Sequence, residues 1–243
     1  MTVSSPTWID LGTFGAPPRP VRLYLPAGVD VDRPHPTLYL FDGQNVFDDA
    51  GSFAGGWRAH HAVDALPRRV TPPVVVAIGN GGVHRVHELG HAVDRFVDAI
   101  ADELVPRVEA AVHGRGPRAL GGASLGGLGA LHGWLHRPDR FDGALVMSPS
   151  LWFGDRVLAG QVHRGEVPVP ATGRIYVDAG KRERGTMFAD AEALAATLAD
   201  RGLGPDRLMW RPDARGAHQE RHWRRRLPKA LRFLFGPAPG SAG

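Results

Sequence analysis

The amino-acid sequence predicts an α/β fold in which a mainly parallel sheet is covered by helices. Short apolar runs rich in Val, Leu and Tyr alternate along the chain with longer segments of helical pattern. Most of these runs lead directly into Gly or Asp, residues that commonly follow the end of a strand. Alternating strand and helix patterns are typical of strand–helix–strand units, so they favour parallel pairing of the strands.

Seven runs are predicted as strands because each is short, apolar and bounded by turn-forming residues. They cover residues 20–26, 36–43, 72–79, 118–124, 143–150, 174–180 and 207–212. Apolar residues at helical spacing predict two amphipathic helices, one through Phe96, Ile100, Leu104 and Val108 and the other through Met187, Ala191, Leu194 and Leu198. Pro106 and Pro228 are each expected to kink or end a helix.

Length and composition indicate a globular protein. The chain has 243 residues, of which 43% are hydrophobic and 22% charged. We expect one domain over residues 1–243, because α/β folds of this size are often a single domain. The sequence contains no Cys, which excludes disulfides and thiolate sites. It shows neither a leader pattern at its N-terminus nor an apolar segment long enough to cross a membrane, so a cytoplasmic location and no membrane partner are expected.

The basic residues are not predicted to bind nucleic acid. The net charge is +4, but the arginines are scattered apart from a run at 221–226. In that segment Trp223, Leu227, Leu231 and Leu234 fall at helical spacing, which leaves the arginines on a solvated helix face. Nucleic acid is therefore not an expected partner, and the oligomeric state cannot be read from the sequence.

Ser124 is the candidate nucleophile. Gly122-Ala123-Ser124-Leu125-Gly126 matches G-x-S-x-G, follows a predicted strand and opens a predicted helix. Such a sharp turn requires neighbours without bulky side chains, which explains the glycines. The amide of Leu125 and the helix N-terminus then face an oxyanion formed at the serine. A glycine-rich turn that only packs helix on strand is the structural alternative, whereas a phosphate loop lacks its Lys-Ser/Thr pair.

A serine needs a base and an acid that orients the base, and in α/β hydrolases they follow in the order serine, acid, histidine. His218 lies in the loop after the last predicted strand and is the candidate base; His222, inside the next helix, is the second choice. Glu183 lies just beyond the strand at 174–180, at the edge where such sheets place ligands, and is preferred as the acid over Asp178 within that strand. A solvated charge is the alternative for Glu183.

Several segments in order resemble the esterase family of α/β hydrolases that includes enterobactin-type siderophore esterases, S-formylglutathione hydrolases, feruloyl esterases and mycolyltransferases. They are LYLFDGQNVFDDAGSF, RVHEL, GGASLGGLGAL, SPSLWF, DAGKRE and HQERHWRRRLPKALRFLF, between about Leu38 and Phe235. The resemblance implies an α/β-hydrolase fold with helices on both faces of the sheet. It also implies a triad of Ser124, Glu183 and His218, and an oxyanion hole formed by the backbone amides of Gln44 and Leu125.

The resemblance further indicates three candidate substrate contacts. Arg85 and Glu88 match the R-x-x-E segment of siderophore esterases, with a structural salt bridge as the alternative. Trp152 matches an aromatic position beside the nucleophile, with burial in the core as its alternative. His84, His87 and His91 are spaced for one helix face but lie in a predicted loop, and Asp42, Asp48 and Asp49 lack calcium-loop spacing, so no metal and no cofactor are expected.

The sequence thus predicts a serine carboxylic-ester hydrolase that acts on a small-molecule ester. Acyl transfer to another hydroxyl, and a binding module that has lost turnover, remain as alternatives. Small-acyl esters, thioesters, aromatic esters and trilactones share this chemistry, so the sequence does not select among them.

Overall fold

The computed structural model describes residues 2–50, 52, 55–112 and 116–237, and within them eight strands form one sheet. The strands are β1 Thr7–Phe14, β2 Arg19–Leu25, β3 Thr37–Leu40, β4 Val74–Ile78, β5 Arg118–Ala123, β6 Gly143–Met147, β7 Arg174–Gly180 and β8 Leu208–Asp213. Their order across the sheet is β1-β2-β4-β3-β5-β6-β7-β8. All seven predicted strands are therefore confirmed.

The sheet is parallel from β4 to β8 and antiparallel at one side. Strands β3 to β8 pair in parallel with one another, whereas β2 pairs antiparallel with both β1 and β4. The sequence analysis did not predict β1. This edge strand is mostly exposed and polar residues or glycine interrupt its apolar positions, so it lacks the continuous apolar run by which the buried parallel strands are recognised.

Seven α-helices occur in the described residues: α1 Ala59–Asp64, α2 Val93–Ala99, α3 Val105–Val112, α4 Leu125–His136, α5 Val157–Arg164, α6 Met187–Asp200 and α7 Glu220–Phe235. A π-helical turn, Ile100–Leu104, joins α2 to α3, and a second π turn, His87–His91, precedes α2. Both predicted amphipathic helices are confirmed. No helix in the described ranges is both long and apolar enough to cross a membrane.

Helices cover both faces of the sheet, because alternating residues of each strand enter different cores. Tyr39, Val74 and Val76 pack with residues of α2, α3, α4 and α6. Leu38, Leu40 and Val75 pack on the opposite face with residues of α1 and α7. Each fully buried aliphatic side chain contributes about 1.5–3 kcal/mol to folding. The two cores hold the carboxyl edge of the sheet as a fixed platform.

Each proline was expected to kink or end its helix, and neither Pro106 nor Pro228 ends the helix that contains it. Pro106 follows the π turn, in which the N–H of Val105 donates to the carbonyl of Ile100 and not, as in an α-helix, to the carbonyl of Ala101. Pro228 lies inside α7, whose Leu227 and Leu231 are fully buried against the sheet. Burial of this face outweighs the cost of about 3 kcal/mol for an internal proline.

The prediction of one domain over 1–243 stays a prediction. Residues 1, 51, 53–54, 113–115 and 238–243 lie outside the described residues.

Candidate active site

Ser124 sits in a strained turn between β5 and α4. Its φ is 58° and its ψ is −125°, a conformation that costs a residue with a side chain about 1–3 kcal/mol. The surrounding structure holds it there: its N–H donates to the carbonyl of Met147, and its carbonyl accepts from the N–H of Ser150, each at 3.0 Å. A Cβ on Gly122 would lie 2.5 Å from the carbonyl carbon of Gly126, so the turn requires glycine there.

The hydroxyl of Ser124 is half-buried and lies beside a second serine. Its Oγ is 3.1 Å from the Oγ of Ser150. Among the hydrogen bonds of the described residues, none joins Ser124 to His218. In this state the candidate nucleophile is therefore paired with Ser150 rather than with the candidate base.

Glu183 and His218 are in contact. Glu183 follows β7 and its carboxylate is buried, with Oε2 3.3 Å from Nδ1 of His218. Its other oxygen, Oε1, accepts from the Gly180 N–H at 2.8 Å and from the Ser148 hydroxyl at 2.6 Å. Burial by itself would raise the pKa of Glu183, but hydrogen bonds from His218, Ser148 and Gly180 outweigh it and lower that pKa. The carboxylate is thus held ionised beside the imidazole.

His218 lies in the loop before α7 and remains partly open to solvent. The edge of its ring meets the ring of Trp223, with centroids 5.0 Å apart and planes at 88°. Its contact with Glu183 uses Nδ1, and among the described residues its Nε2 has no hydrogen-bond partner. An imidazole held at Nδ1 and free at Nε2 is the arrangement that a general base requires.

Asp178 and His222, the second choices for the acid and the base, have other hydrogen-bond partners. Asp178 is fully buried within β7, where its carboxylate accepts from Arg226 at 2.8 Å, Tyr176 at 3.1 Å and the Ser148 N–H at 3.2 Å. Burial raises the pKa of Asp178 to about 6, against the opposing effect of Arg226. His222 lies within α7 and contacts Arg221. The described contacts therefore join Glu183, and not Asp178, to His218.

Sequence reasoning missed a buried residue, Ser148, between β6 and the candidate acid. Its Oγ donates to Glu183 and accepts from Nε1 of Trp223 at 2.9 Å and Nη2 of Arg226 at 2.8 Å. Its φ is 41°, another left-handed conformation at a residue with a side chain. The Ser-Pro-Ser segment directly after β6 was the available signal, because β6 adjoins β5 and ends at the same edge.

The two amides predicted for the oxyanion hole lie on adjacent turns. Gln44 is in a 3₁₀ turn, Gly43–Asn45, and Leu125 is the first residue of α4. Among the described residues neither N–H donates to a protein group. A Cβ on Gly126 would lie 3.3 Å from the Cβ of Phe41, which shows how closely the two turns approach. Both N–H groups are therefore available to an oxygen atom.

The predicted substrate contacts are differently placed. The Arg85 guanidinium donates two hydrogen bonds to the Asp42 carboxylate, of 2.5 and 2.7 Å. Glu88 is buried in a two-bond ion pair with Arg19, each bond 2.6 Å long. Each side chain therefore has an ionic partner within the protein, although they do not pair with one another.

Trp152 is 50% exposed, close behind the Ser-Pro-Ser segment. The neighbouring Phe153 packs against Gly90 and the ring of His91. An exposed indole at this position presents an apolar surface to ligands. The described residues contain no group of three or more His, Asp or Glu placed to hold a metal ion.

Comparison with known proteins places the chain in a family. The family described as "Putative esterase" matches residues 16–234. The chain belongs to this family. The predicted resemblance is thereby confirmed, and family membership supports the esterase class of activity.

Named relatives of this family act on siderophores. An iron(III) enterobactin esterase of Escherichia coli is 35% identical over 181 residues, which are 70% of this chain and 44% of that protein. A siderophore enterobactin esterase of Emericella nidulans is 37% identical over 107 residues, 40% of this chain and 35% of that protein. The chain spans less than half the length of these curated relatives.

Solved structures of similar proteins share the architecture. An enterobactin esterase of Shigella flexneri, crystallised in the presence of 2,3-di-hydroxy-N-benzoyl-glycine, has a TM-score of 0.76 and 27% identity, over 95% of this chain and 59% of that one. The BES protein from Bacillus cereus has a TM-score of 0.73 at 21% identity, over 98% and 97%. The predicted α/β-hydrolase fold is confirmed.

Proposed function

We propose that this protein is a serine carboxylic-ester hydrolase in which Ser124 is the nucleophile, His218 the general base and Glu183 the acid that orients it. One observation carries the proposal: a serine in a strained strand-to-helix turn stands at the same sheet edge as a bonded Glu183–His218 pair. Family membership supports the reaction class.

The reaction requires the Ser124 hydroxyl to exchange Ser150 for His218 as its hydrogen-bond partner. When substrate enters, the Ser124 hydroxyl leaves Ser150 and turns to Nε2 of His218. Oγ attacks the ester carbonyl carbon while Nε2 takes its proton, and Glu183 stabilises the resulting imidazolium. The N–H groups of Gln44 and Leu125 donate to the oxyanion.

Collapse of this intermediate breaks the bond to the leaving oxygen, which takes the proton from His218, and an acyl-serine remains. A water molecule then gives a proton to Nε2 and attacks the acyl carbon. Release of the acid returns the proton to Ser124. The same imidazole therefore serves both halves of the reaction.

For the substrate we propose an anionic ester of the siderophore class. The named relatives are siderophore esterases. The loops that carry Glu183 and His218, together with the first turn of α7, also expose several arginines, which are Arg182, Arg184, Arg215 and Arg221. Guanidinium groups beside a reaction centre raise the local concentration of anions and bind their oxygen atoms. Trp152 would supply the apolar wall. A cytoplasmic location and the lack of a nucleic-acid partner stay predictions.

The test pairs p-nitrophenyl esters of increasing acyl length with a matched ester that carries a carboxylate on the acyl chain. We expect turnover of all short esters and a higher kcat/KM for the anionic member at low ionic strength, with the advantage falling as salt is added. Turnover without any preference for the anionic ester contradicts the substrate class. A folded protein that cleaves none of them contradicts the esterase assignment.

A further inference from the structure

A buried polar cluster adjoins the Oε1 side of Glu183. It consists of Ser148 and Asp178 at the ends of β6 and β7, and of Trp223 and Arg226 on α7. Ser148 and Asp178 are fully buried, and the side chain of Arg226 is 4% exposed. Burying charged groups is costly, so a cluster of this kind at a site edge calls for a role.

The hydrogen bonds of Ser148 leave only one arrangement. Trp223 Nε1 and Arg226 Nη2 can only donate, and both point at the Oγ of Ser148. They occupy the two lone pairs of that oxygen, so its single hydrogen must point to the third neighbour, Oε1 of Glu183, at 2.6 Å. The hydroxyl is therefore a fixed donor rather than a free rotor.

This fixed donor determines the orientation of the carboxylate. Oε1 of Glu183 receives two hydrogen bonds, from Ser148 and from the Gly180 N–H. The other oxygen, Oε2, is left to accept from Nδ1 of His218. A carboxylate without the Ser148 bond would lose half of what holds Oε1 in place.

We infer that Arg226, acting through Ser148, is a positioning residue that fixes the Glu183 carboxylate so that Oε2 faces His218. The catalytic consequence rests on the proposed esterase function. Arg226 suits this role because Asp178 holds its Nε at 2.8 Å and Asp213 lies 3.4 Å from its Nη1. Its guanidinium also stands 4.0 Å from Glu183 Oε1, which favours the ionised acid.

This assignment also explains the role of the buried Asp178. Its carboxylate balances the charge of Arg226 in the core and aims the guanidinium at Ser148. Asp178, on β7, thus holds Arg226 in place, and Glu183, after β7, holds His218.

The experiment compares Ser148→Ala and Arg226→Lys with wild type and with a control, Arg224→Met. Ser148→Ala removes the fixed donor without leaving a buried charge unpaired. Arg226→Lys keeps a positive charge beside Asp178, but an ammonium cannot reproduce the planar fork that reaches both Asp178 and Ser148. Arg224 is an exposed arginine on the same helix, and no hydrogen bond of the described residues joins it to Ser148, Asp178 or Glu183.

Two measurements distinguish a positioning role of Ser148 and Arg226 from a purely structural one. Kinetics on a short p-nitrophenyl ester should show kcat lowered roughly tenfold or more in both variants with KM little changed, a part of the roughly 10²–10⁴ that a general base contributes. Proton NMR should show the low-field Nδ1–H signal of His218, assigned by its loss in His218→Gln, shifted or broadened in both variants. Arg224→Met should match wild type in both measurements.

The outcomes are distinct. An unchanged Nδ1–H signal in folded Ser148→Ala and Arg226→Lys overturns the inference, whatever happens to kcat. If the wild-type protein cleaves no ester, the proposed function fails, but the NMR comparison still decides whether Arg226 and Ser148 fix the Glu183–His218 contact.

Discussion

At the scale of single residues, the candidate site depends on glycines that allow Ser124 its strained conformation. Gly122 and Gly126 approach so closely that a side chain on the former cannot be accommodated. The strain at Ser124 is offset by backbone hydrogen bonds from the neighbouring β6 loop. The turn is therefore a property of several residues, of which the serine is only the one that reacts.

Gly122→Ala tests this view of the turn. The added Cβ would meet backbone atoms of Gly126 at 2.5 Å, and backbone cannot yield as a side chain can. We expect the free energy of unfolding to fall by about 3 kcal/mol or more. Chemical denaturation measures it. Gly160→Ala, whose Cβ would meet only the end of Arg164 within helix α5, is the control and should be neutral or slightly stabilising. Equal stability of the two variants would contradict the account.

Substitution of the two acids near His218 should lower kcat to clearly different extents. Glu183→Gln removes the charge that faces Nδ1, whereas Asp178→Asn disturbs it only through Arg226 and Ser148. We expect kcat to fall by several orders of magnitude in the first variant and far less in the second. Steady-state kinetics on one ester decides. The opposite ranking would move the orienting role to Asp178.

Much of the candidate site was predictable from the sequence at this scale. Ser124 carries a local motif, and chain order together with a place in a loop after a predicted strand selected His218 and Glu183, which the structure brings into contact. Ser148 had only its place directly after β6 as a signal, and Arg226 had none, because their roles arise from tertiary contacts between β6, β7 and α7. Arg226 looked like one of several solvated arginines in a basic helix.

At the scale of elements, helix α7 and the loop before it supply one side of the site. His218 precedes the helix, and Trp223 and Arg226 follow on successive turns of the face that packs on the sheet. The π turn His87–His91 contributes on the other side, where Glu88 ties it to Arg19 at the start of β2. A buried ion pair of this kind is costly to break on one side only.

Glu88→Ala distinguishes a structural role from the predicted substrate contact. It would leave Arg19, which is 2% exposed, without its partner. We expect the free energy of unfolding to fall by about 3–5 kcal/mol with KM little changed. Glu103→Ala, an exposed carboxylate in the following π turn, is the control and should change neither. A stable Glu88→Ala protein with a raised KM would instead assign Glu88 to the substrate.

At the scale of the whole molecule, the parallel sheet explains why residues distant in sequence meet. Strands β3, β5, β6, β7 and β8 point the same way, so their carboxyl ends bring Gln44, Ser124, Ser148, Glu183 and His218 to one edge. The fold class and all parallel strands could be predicted, since buried strands read as continuous apolar runs. The exposed edge strand β1 could not, because it is mostly exposed and has no continuous apolar run.

The pH dependence of stability should carry the signature of Glu183. Its pKa in the folded protein is below the ordinary value of 4.5, so its contribution is complete above that value and is lost as the pH falls below it. Other carboxylates add to the same trend, and the difference between wild type and Glu183→Gln isolates this one. We expect denaturation curves to show a shallower loss of stability in the variant as the pH falls below that ordinary value. Parallel curves for the two proteins would contradict the hydrogen-bonded, ionised state of Glu183.

The most direct test of the central claim is covalent labelling of the wild-type protein with a fluorophosphonate probe, located by peptide mass spectrometry and paired with ester hydrolysis. The account predicts one label, at Ser124, with loss of turnover in proportion to labelling. Ser124→Ala should fold normally, take no label and hydrolyse no ester above the background rate. Labelling at another residue, or wild-type turnover by folded Ser124→Ala, would contradict the assignment of Ser124 as the nucleophile.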